Sequence, residues 1–224
     1  MNTYQLNLFQ GHAIIRDGEH TILVDSGAPT TIHITDSLKF NGEQFHCTTN
    51  YMGLTVMELS GLLGTQITTL MGADILAQYH LLIDYRKEQL TFSSEQIQFD
   101  GQETLITTFM GIPIVEYAVA GDTMKFFLDT GAKLSYLSKE ITQGFEGCGR
   151  EEDFYPGVGN FETECFEIPT LLGDSRFSVK YGNLPDALQM ALMVGGVKGI
   201  MGYDFFNNFT VNLDLAGGIL KYKA

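Results

Sequence analysis

Cysteine is scarce in this 224-residue chain: Cys47, Cys148 and Cys165 make an odd count with no Cys-x-x-Cys spacing. That excludes a disulfide framework or a cysteine-based zinc site and leaves free thiols in a reducing compartment as the plain reading. Basic residues are also few, 13 against 27 acidic ones, for a net charge of −14. Nucleic-acid phosphates and anionic lipid would be repelled, so neither is an expected partner. The charge is spread evenly, −7 in residues 1–100 (4 basic, 11 acidic) and −7 in residues 101–224 (9 basic, 16 acidic). No apolar run approaches the roughly 18 residues of a membrane span. The opening residues Met1-Asn2-Thr3-Tyr4-Gln5-Leu6 lack the basic-then-apolar pattern of a secretory leader, so the expected location is cytoplasmic.

The chain does hold many short runs of Ile, Val, Leu, Phe, Thr and Tyr, broken about every ten residues by Gly and Asp-Gly. Asp17-Gly18 and Gly121-Asp122 each sit between two such runs and predict hairpins. Helical patterning is sparse. Short helices are expected over Ala73 to Tyr79, Tyr203 to Asn207 and Pro185 to Met193, the last with Asn183 as a possible cap. The expected fold is therefore mostly β.

The sequence repeats itself. A shift of 104 lays Val24-Asp25-Ser26-Gly27-Ala28 on Leu128-Asp129-Thr130-Gly131-Ala132, and Tyr51-Met52-Gly53 on Tyr155-Pro156-Gly157. Further along, a shift of 130 lays Leu70-Met71-Gly72-Ala73-Asp74 on Ile200-Met201-Gly202-Tyr203-Asp204, and Ile83-Asp84 on Leu213-Asp214. The difference, 26 residues, is an insertion in the second half after Tyr155. This pattern reads as a tandem duplication, with residues 1–98 as an N-terminal lobe and 99–224 as a C-terminal lobe.

Each half thus carries an apolar strand ending in Asp, a hydroxyl residue, Gly and Ala, followed later by two apolar residues and Gly-x-Asp. That ordered pair of motifs, present twice, resembles the retropepsin-like and pepsin-like aspartic proteases. The resemblance implies an all-β, bilobal fold with two pseudo-two-fold related, β-barrel-like lobes. It implies a catalytic pair, Asp25 and Asp129, one from each lobe, that activates water against a peptide bond. Ser26, Gly27, Ala28, Thr130, Gly131 and Ala132 would support the two loops, and Gly72 and Gly202 would lie on strands threading beside them. Asp74 and Asp204 read as helix-starting or network residues. A hairpin flap closes over substrate in this family, for which Tyr51, Gly53, Tyr155, Gly157 and Gly159 are the candidates. From Gly53 to Gly72 is 19 residues and from Gly157 to Gly202 is 45, so only the second lobe has length for a full flap. Pepsin-like members carry theirs in the first lobe.

Two close carboxylates suit this chemistry because they cannot both stay ionised: one keeps the proton and the other acts as a base. The substrate expected is an extended polypeptide, no cofactor or metal is expected, and a monomer suffices for the pair. His12, His20, His33, His46 and His80 lack ligand spacing and read as surface or strand residues. Met190, Leu192, Met193 and Val194 read as core, and Tyr51 and Tyr155 equally as strand or substrate-facing residues. Two other functions would use the same residues. An actin-fold kinase also has two Asp-x-Gly loops, but it needs long helices and βαβ units that this pattern lacks. A peptide-binding module would keep the cleft without cutting.

Overall fold

The computed structural model describes residues 1–224 except Met52, Pro156 and Gly157. It is 51% strand and 14% helix, with five short helices among the described residues. No helix among them is long and apolar enough to cross a membrane.

The two halves share a six-stranded antiparallel sheet, in the order Asn2–Gln5, Gln89–Ser93, His80–Asp84, Thr210–Asp214, Ile219–Lys223, Gln102–Leu105. They meet where Leu81 pairs with Leu213. The repeated Asp84 and Asp214 set matching turns, since Asp84 accepts from the Lys87 N–H (3.0 Å) and Asp214 from the Gly217 N–H (2.7 Å).

Above this sheet each half builds the same strand order. In the first half it is Asn7–Phe9, His12–Asp17, His20–Val24, Thr69–Met71, Ile32–His33. The second half runs Thr107–Phe109, Ile112–Val119, Asp122–Leu128, Gly199–Met201, Ser135–Leu137, then adds Ser175–Gly182, Gly159–Leu172 and Gly149–Tyr155. In each half one central pairing is parallel, Val24 beside Met71 and Leu128 beside Met201, and the second half adds a further parallel pairing of Ser135 with Tyr181. The central pairs are the strands whose ends carry the repeated motifs. The 26-residue excess is the long Gly159–Leu172/Ser175–Gly182 ribbon together with a longer helix behind it. Ile112–Val119 also pairs with Gly159–Leu172 through Ala118 and Leu171, which closes the second sheet on itself. Among the described residues the first sheet stays open.

Alternation along the strands divides the core. Ile22, Val24, Phe126 and Leu128 point into a cluster that runs through both halves, while Leu23 and Phe127 point the other way. A helix covers each of these. Val56, Leu59 and Leu63 of the helix Val56–Leu63 pack with Leu23 and Leu70, and Leu188 and Leu192 of the helix Asp186–Gly195 pack with Phe127 and Ile200.

Several local expectations change. The helix Val56–Leu63 was not expected, although Thr55-Val56-Met57-Glu58 forms a capping box: the Glu58 N–H donates to Thr55 Oγ1 and the Thr55 N–H to Glu58. The helix expected from Ala73 ends at Leu76, and that from Tyr203 ends at Asn208. Pro185, not Asn183, precedes the helix Asp186–Gly195, because the Asn183 amide is engaged by the Leu137 carbonyl and Thr142 Oγ1. The second hairpin turns at Ala120-Gly121, one residue earlier than expected, since Val119 pairs with Asp122 and both turn residues take positive φ (56° and 94°).

Candidate active site

The two central parallel pairings bring the Asp-x-Gly loops together between the lobes. The Asp25 N–H donates to the Met71 carbonyl and the Asp129 N–H to the Met201 carbonyl, both at 2.9 Å. Each loop then folds back on its own carboxylate. The Gly27 N–H donates to Asp25 Oδ1 (2.9 Å) and the Gly131 N–H to Asp129 Oδ1 (2.8 Å). The buried hydroxyls cross between the lobes. Ser26 Oγ donates to the Leu128 carbonyl and accepts from the Thr130 N–H, while Thr130 Oγ1 donates to the Val24 carbonyl and accepts from the Ser26 N–H. These four bonds, 2.8–3.0 Å, lock one loop to the other.

Gly27 and Gly131 admit no side chain. A Cβ on Gly27 would lie 2.2 Å from Asp129 Oδ2, and one on Gly131 would lie 2.5 Å from the Asp25 carboxyl carbon. Each carboxylate therefore sits against the glycine of the opposite loop, and the two carboxyls meet within hydrogen-bond reach. Burial raises the pKa of both. The Asp129 charge then pushes Asp25 well above the usual carboxylate range, whereas the bond from Asp25 and the nearby His12 partly offset the rise at Asp129. Both shifts run upward, so the two carboxyls titrate as a coupled pair that favours keeping a proton between them.

The supporting glycines are equally matched. The Gly72 N–H donates to Thr31 Oγ1 (2.9 Å) and the Gly202 N–H to Ser135 Oγ (3.0 Å). A Cβ on either would fall 2.6–2.7 Å from the carbonyl of Ala28 or Ala132, which accepts from the Ala73 or Tyr203 N–H. Thr31 and Ser135 were missed, although the shift of 104 superposes them. Asp74 and Asp204 lie outside the pair: Asp74 accepts from Thr31, and Asp204 from the Lys180 N–H.

The pair lies on the floor of a cavity of about 440 Å³ between the lobes, with walls that include Leu23, Leu54, Leu59, Ile112 and Phe127. Tyr51 and Tyr155 both line it. Burial and the dyad's charge push Tyr155 up to about 12 and raise Tyr51 as well, so both phenols remain protonated donors. Tyr155 ends the hairpin strand Gly149–Tyr155, paired with Gly159–Leu172. Tyr51 belongs to a two-residue ladder, Asn50–Tyr51 with Leu54–Thr55, that runs straight into a helix. Gly53 and Gly159 take the positive φ of tight turns (79° and 86°); Gly157 lies outside the described residues.

One expectation fails at the cavity. Met190, Met193 and Val194 are exposed rather than core, because the helix Asp186–Gly195 turns only its Leu188–Leu192 face inward; Met190 and Val194 line the cavity mouth. His12 and His33 are strand residues, as expected, and both are buried. His12 Nδ1 lies 2.6 Å from the Gly131 carbonyl, in the second Asp-x-Gly loop. A signal for it exists: Phe9-Gln10-Gly11-His12 matches Phe109-Met110-Gly111-Ile112 at a shift of 100, and both Gln10-Gly11 and Met110-Gly111 are positive-φ turns. Among the described residues no group of three or more His, Cys, Asp or Glu is arranged to hold a metal ion.

An aspartic proteinase from Irpex lacteus aligns over 100% of this chain and 97% of its own, with a TM-score of 0.54 at 11% sequence identity. The chain has the aspartic proteinase fold. A retropepsin-like aspartic protease from Rickettsia conorii aligns over 56% of this chain and 96% of its own, at 15% identity and a TM-score of 0.39. No protein-family model and no curated protein sequence matches the chain. In this instance of the aspartic proteinase fold, the long hairpin over the cavity comes from the second lobe.

Proposed function

We propose that the protein is an aspartic endopeptidase that cuts an extended polypeptide with water activated between Asp25 and Asp129. The observation that carries this reading is the pair itself: two carboxyls, one per lobe, in matched hydrogen-bond frames on the floor of an apolar cavity. Asp129 takes the proton from water as the water oxygen attacks the peptide carbonyl carbon. Asp25 donates its proton to the carbonyl oxygen, giving a neutral geminal diol. When the C–N bond breaks, the carbonyl re-forms, the leaving nitrogen takes up a proton from the pair, and one shared proton remains. Tyr155, on the hairpin, screens the site from water. The duplicated lobes supply both carboxylates in one chain, so a monomer is sufficient, and the charge of −14 keeps nucleic acid away.

The test is cleavage of a peptide mixture by the wild type and by Asp25→Asn. Peptide bonds cut only by the wild type support the reading. A folded wild type that binds peptides and cuts none would make the protein a peptide-binding module on the same fold.

A further inference from the structure

The cavity departs from the two-fold symmetry of its floor. His12, Tyr136 and Asp153 line it on the side of Asp129. Their counterparts are Ile112 (shift of 100), Ile32 (shift of 104) and the exposed Thr49 (shift of 104), and both isoleucines also line the cavity. The polar trio thus has no polar counterpart in the cavity lining from the other repeat.

Asp153 is only 8% exposed, yet its hydrogen bonds come from neutral donors, the Phe154 N–H (2.8 Å) and the Tyr136 hydroxyl. Among the described residues it has no ion pair. Lys133 donates to the carbonyl of the neighbouring Glu152 instead. A buried carboxylate without a countercharge is costly, and each of its oxygens has a further lone pair to offer. His12, 4% exposed, stands beside it, with Phe154 against its ring (5.7 Å between centroids). A carbonyl only accepts, so His12 Nδ1 is the donor in its bond to Gly131. Nε2 is then the nitrogen left for the cavity, and it makes no hydrogen bond among the described residues. Burial lowers the pKa of His12 against the opposing pull of the Gly131 carbonyl, Asp153 and Asp129, which favours the neutral ring with a bare Nε2. Both groups therefore present acceptors and want N–H donors.

We propose that His12, Tyr136 and Asp153 form a subsite for a basic side chain, Lys or Arg, of the bound polypeptide. The proposal rests on reading the cavity as a polypeptide cleft and names the substrate class of that cleft. The aliphatic stem of the basic residue lies along apolar wall while its cation reaches Asp153 and His12. Tyr136 holds the carboxylate in place. The matching position across the pseudo-axis, between Ile32 and Ile112, takes an apolar side chain.

The test measures binding, so it is independent of cleavage. Amino-terminally acetylated, fluorescently labelled peptides are titrated into Asp129→Asn. Pairs differ at one scanned position, Lys against norleucine or Arg against citrulline, so only a side-chain cation separates the members. At one position the cationic member should bind at least about tenfold more tightly, a difference of ~1.4 kcal/mol. Asp153→Asn, which removes the charge, keeps one carbonyl acceptor for the Phe154 N–H and turns an N–H donor toward the Tyr136 hydroxyl oxygen, should erase that preference in the same background. Equal affinity at every position, preference for the uncharged member, a preference that survives Asp153→Asn, or no binding by any peptide would overturn the proposal. If the preference is found and the wild type cuts none of these peptides, the subsite stands and the endopeptidase reading fails.

Discussion

The two lobes treat the same motif alike below and differently above. Below, the match extends to single hydrogen bonds: Asp25 and Asp129 anchor on Met71 and Met201, and Ser26 and Thr130 exchange equivalent contacts. Above, each lobe caps its strands with a helix, Val56–Leu63 after a minimal hairpin in the first and Asp186–Gly195 in the second, but only the second adds a three-stranded extension, Gly149–Tyr155, Gly159–Leu172 and Ser175–Gly182. The floor needs symmetry because each glycine makes room for the other lobe's carboxylate. The roof does not, since one hairpin is enough to shield a cleft.

The floor and roof can be separated by mutation. Gly27→Ala and Gly131→Ala should be equally damaging, each lowering kcat/KM by at least about 100-fold, because the new Cβ displaces the opposite carboxyl by more than the geometry of catalysis tolerates. Unequal losses would break the symmetry of the floor. Removing the ring in Tyr155→Ala should lower kcat/KM by roughly 10- to 100-fold, and Tyr51→Ala by less than about 3-fold, the scale of losing or keeping water exclusion and orientation. Comparable losses would show that the short first-lobe ladder also serves as a cover.

Stability effects are smaller. Thr130→Val leaves the Ser26 N–H and the Val24 carbonyl without partners in a fully buried site and should cost about 2 kcal/mol in chemical denaturation, while Thr130→Ser should be close to neutral. The dyad itself gives a pH signature. Its folded pKa values are raised, so the folded state holds more protons than the unfolded chain, whose aspartates titrate near ~3.9. The resulting stabilisation is complete below that pH and is lost as pH rises through the folded values. Asp129→Asn should therefore flatten the fall in melting temperature between about pH 4 and pH 7 relative to the wild type. The smallest effect belongs to the roof: Thr55→Ala removes the cap of the helix Val56–Leu63 and should cost ~1 kcal/mol.

The floor was legible in the sequence because its chemistry is local: Asp-hydroxyl-Gly-Ala and apolar-Gly-x-Asp each recur at a fixed shift. The hydroxyls that brace Gly72 and Gly202 recur at the same shift and were readable, but their partners lie 41 and 67 residues away, beyond any local pattern. His12 was obscured because the hairpin after it is longer in the second half, so its repeat runs at 100 rather than 104. The helix Val56–Leu63 had a capping box in plain view but only two turns of pattern to follow it. Met190, Met193 and Val194 show what periodicity omits: an apolar residue on a helix does not reveal whether anything covers it. Asp153 carries no motif, and only the fold brings it to His12 and Tyr136.

The most direct test is a digest of a diverse peptide mixture by wild type and Asp129→Asn, from about pH 3 to about pH 7.5, a span that brackets the titration of a coupled carboxylate pair. Cuts by the wild type that rise and fall across that range and vanish in a folded Asp129→Asn are the expected result. Cuts of equal rate in both proteins, or none from a folded wild type at any pH, would contradict a water activated between Asp25 and Asp129.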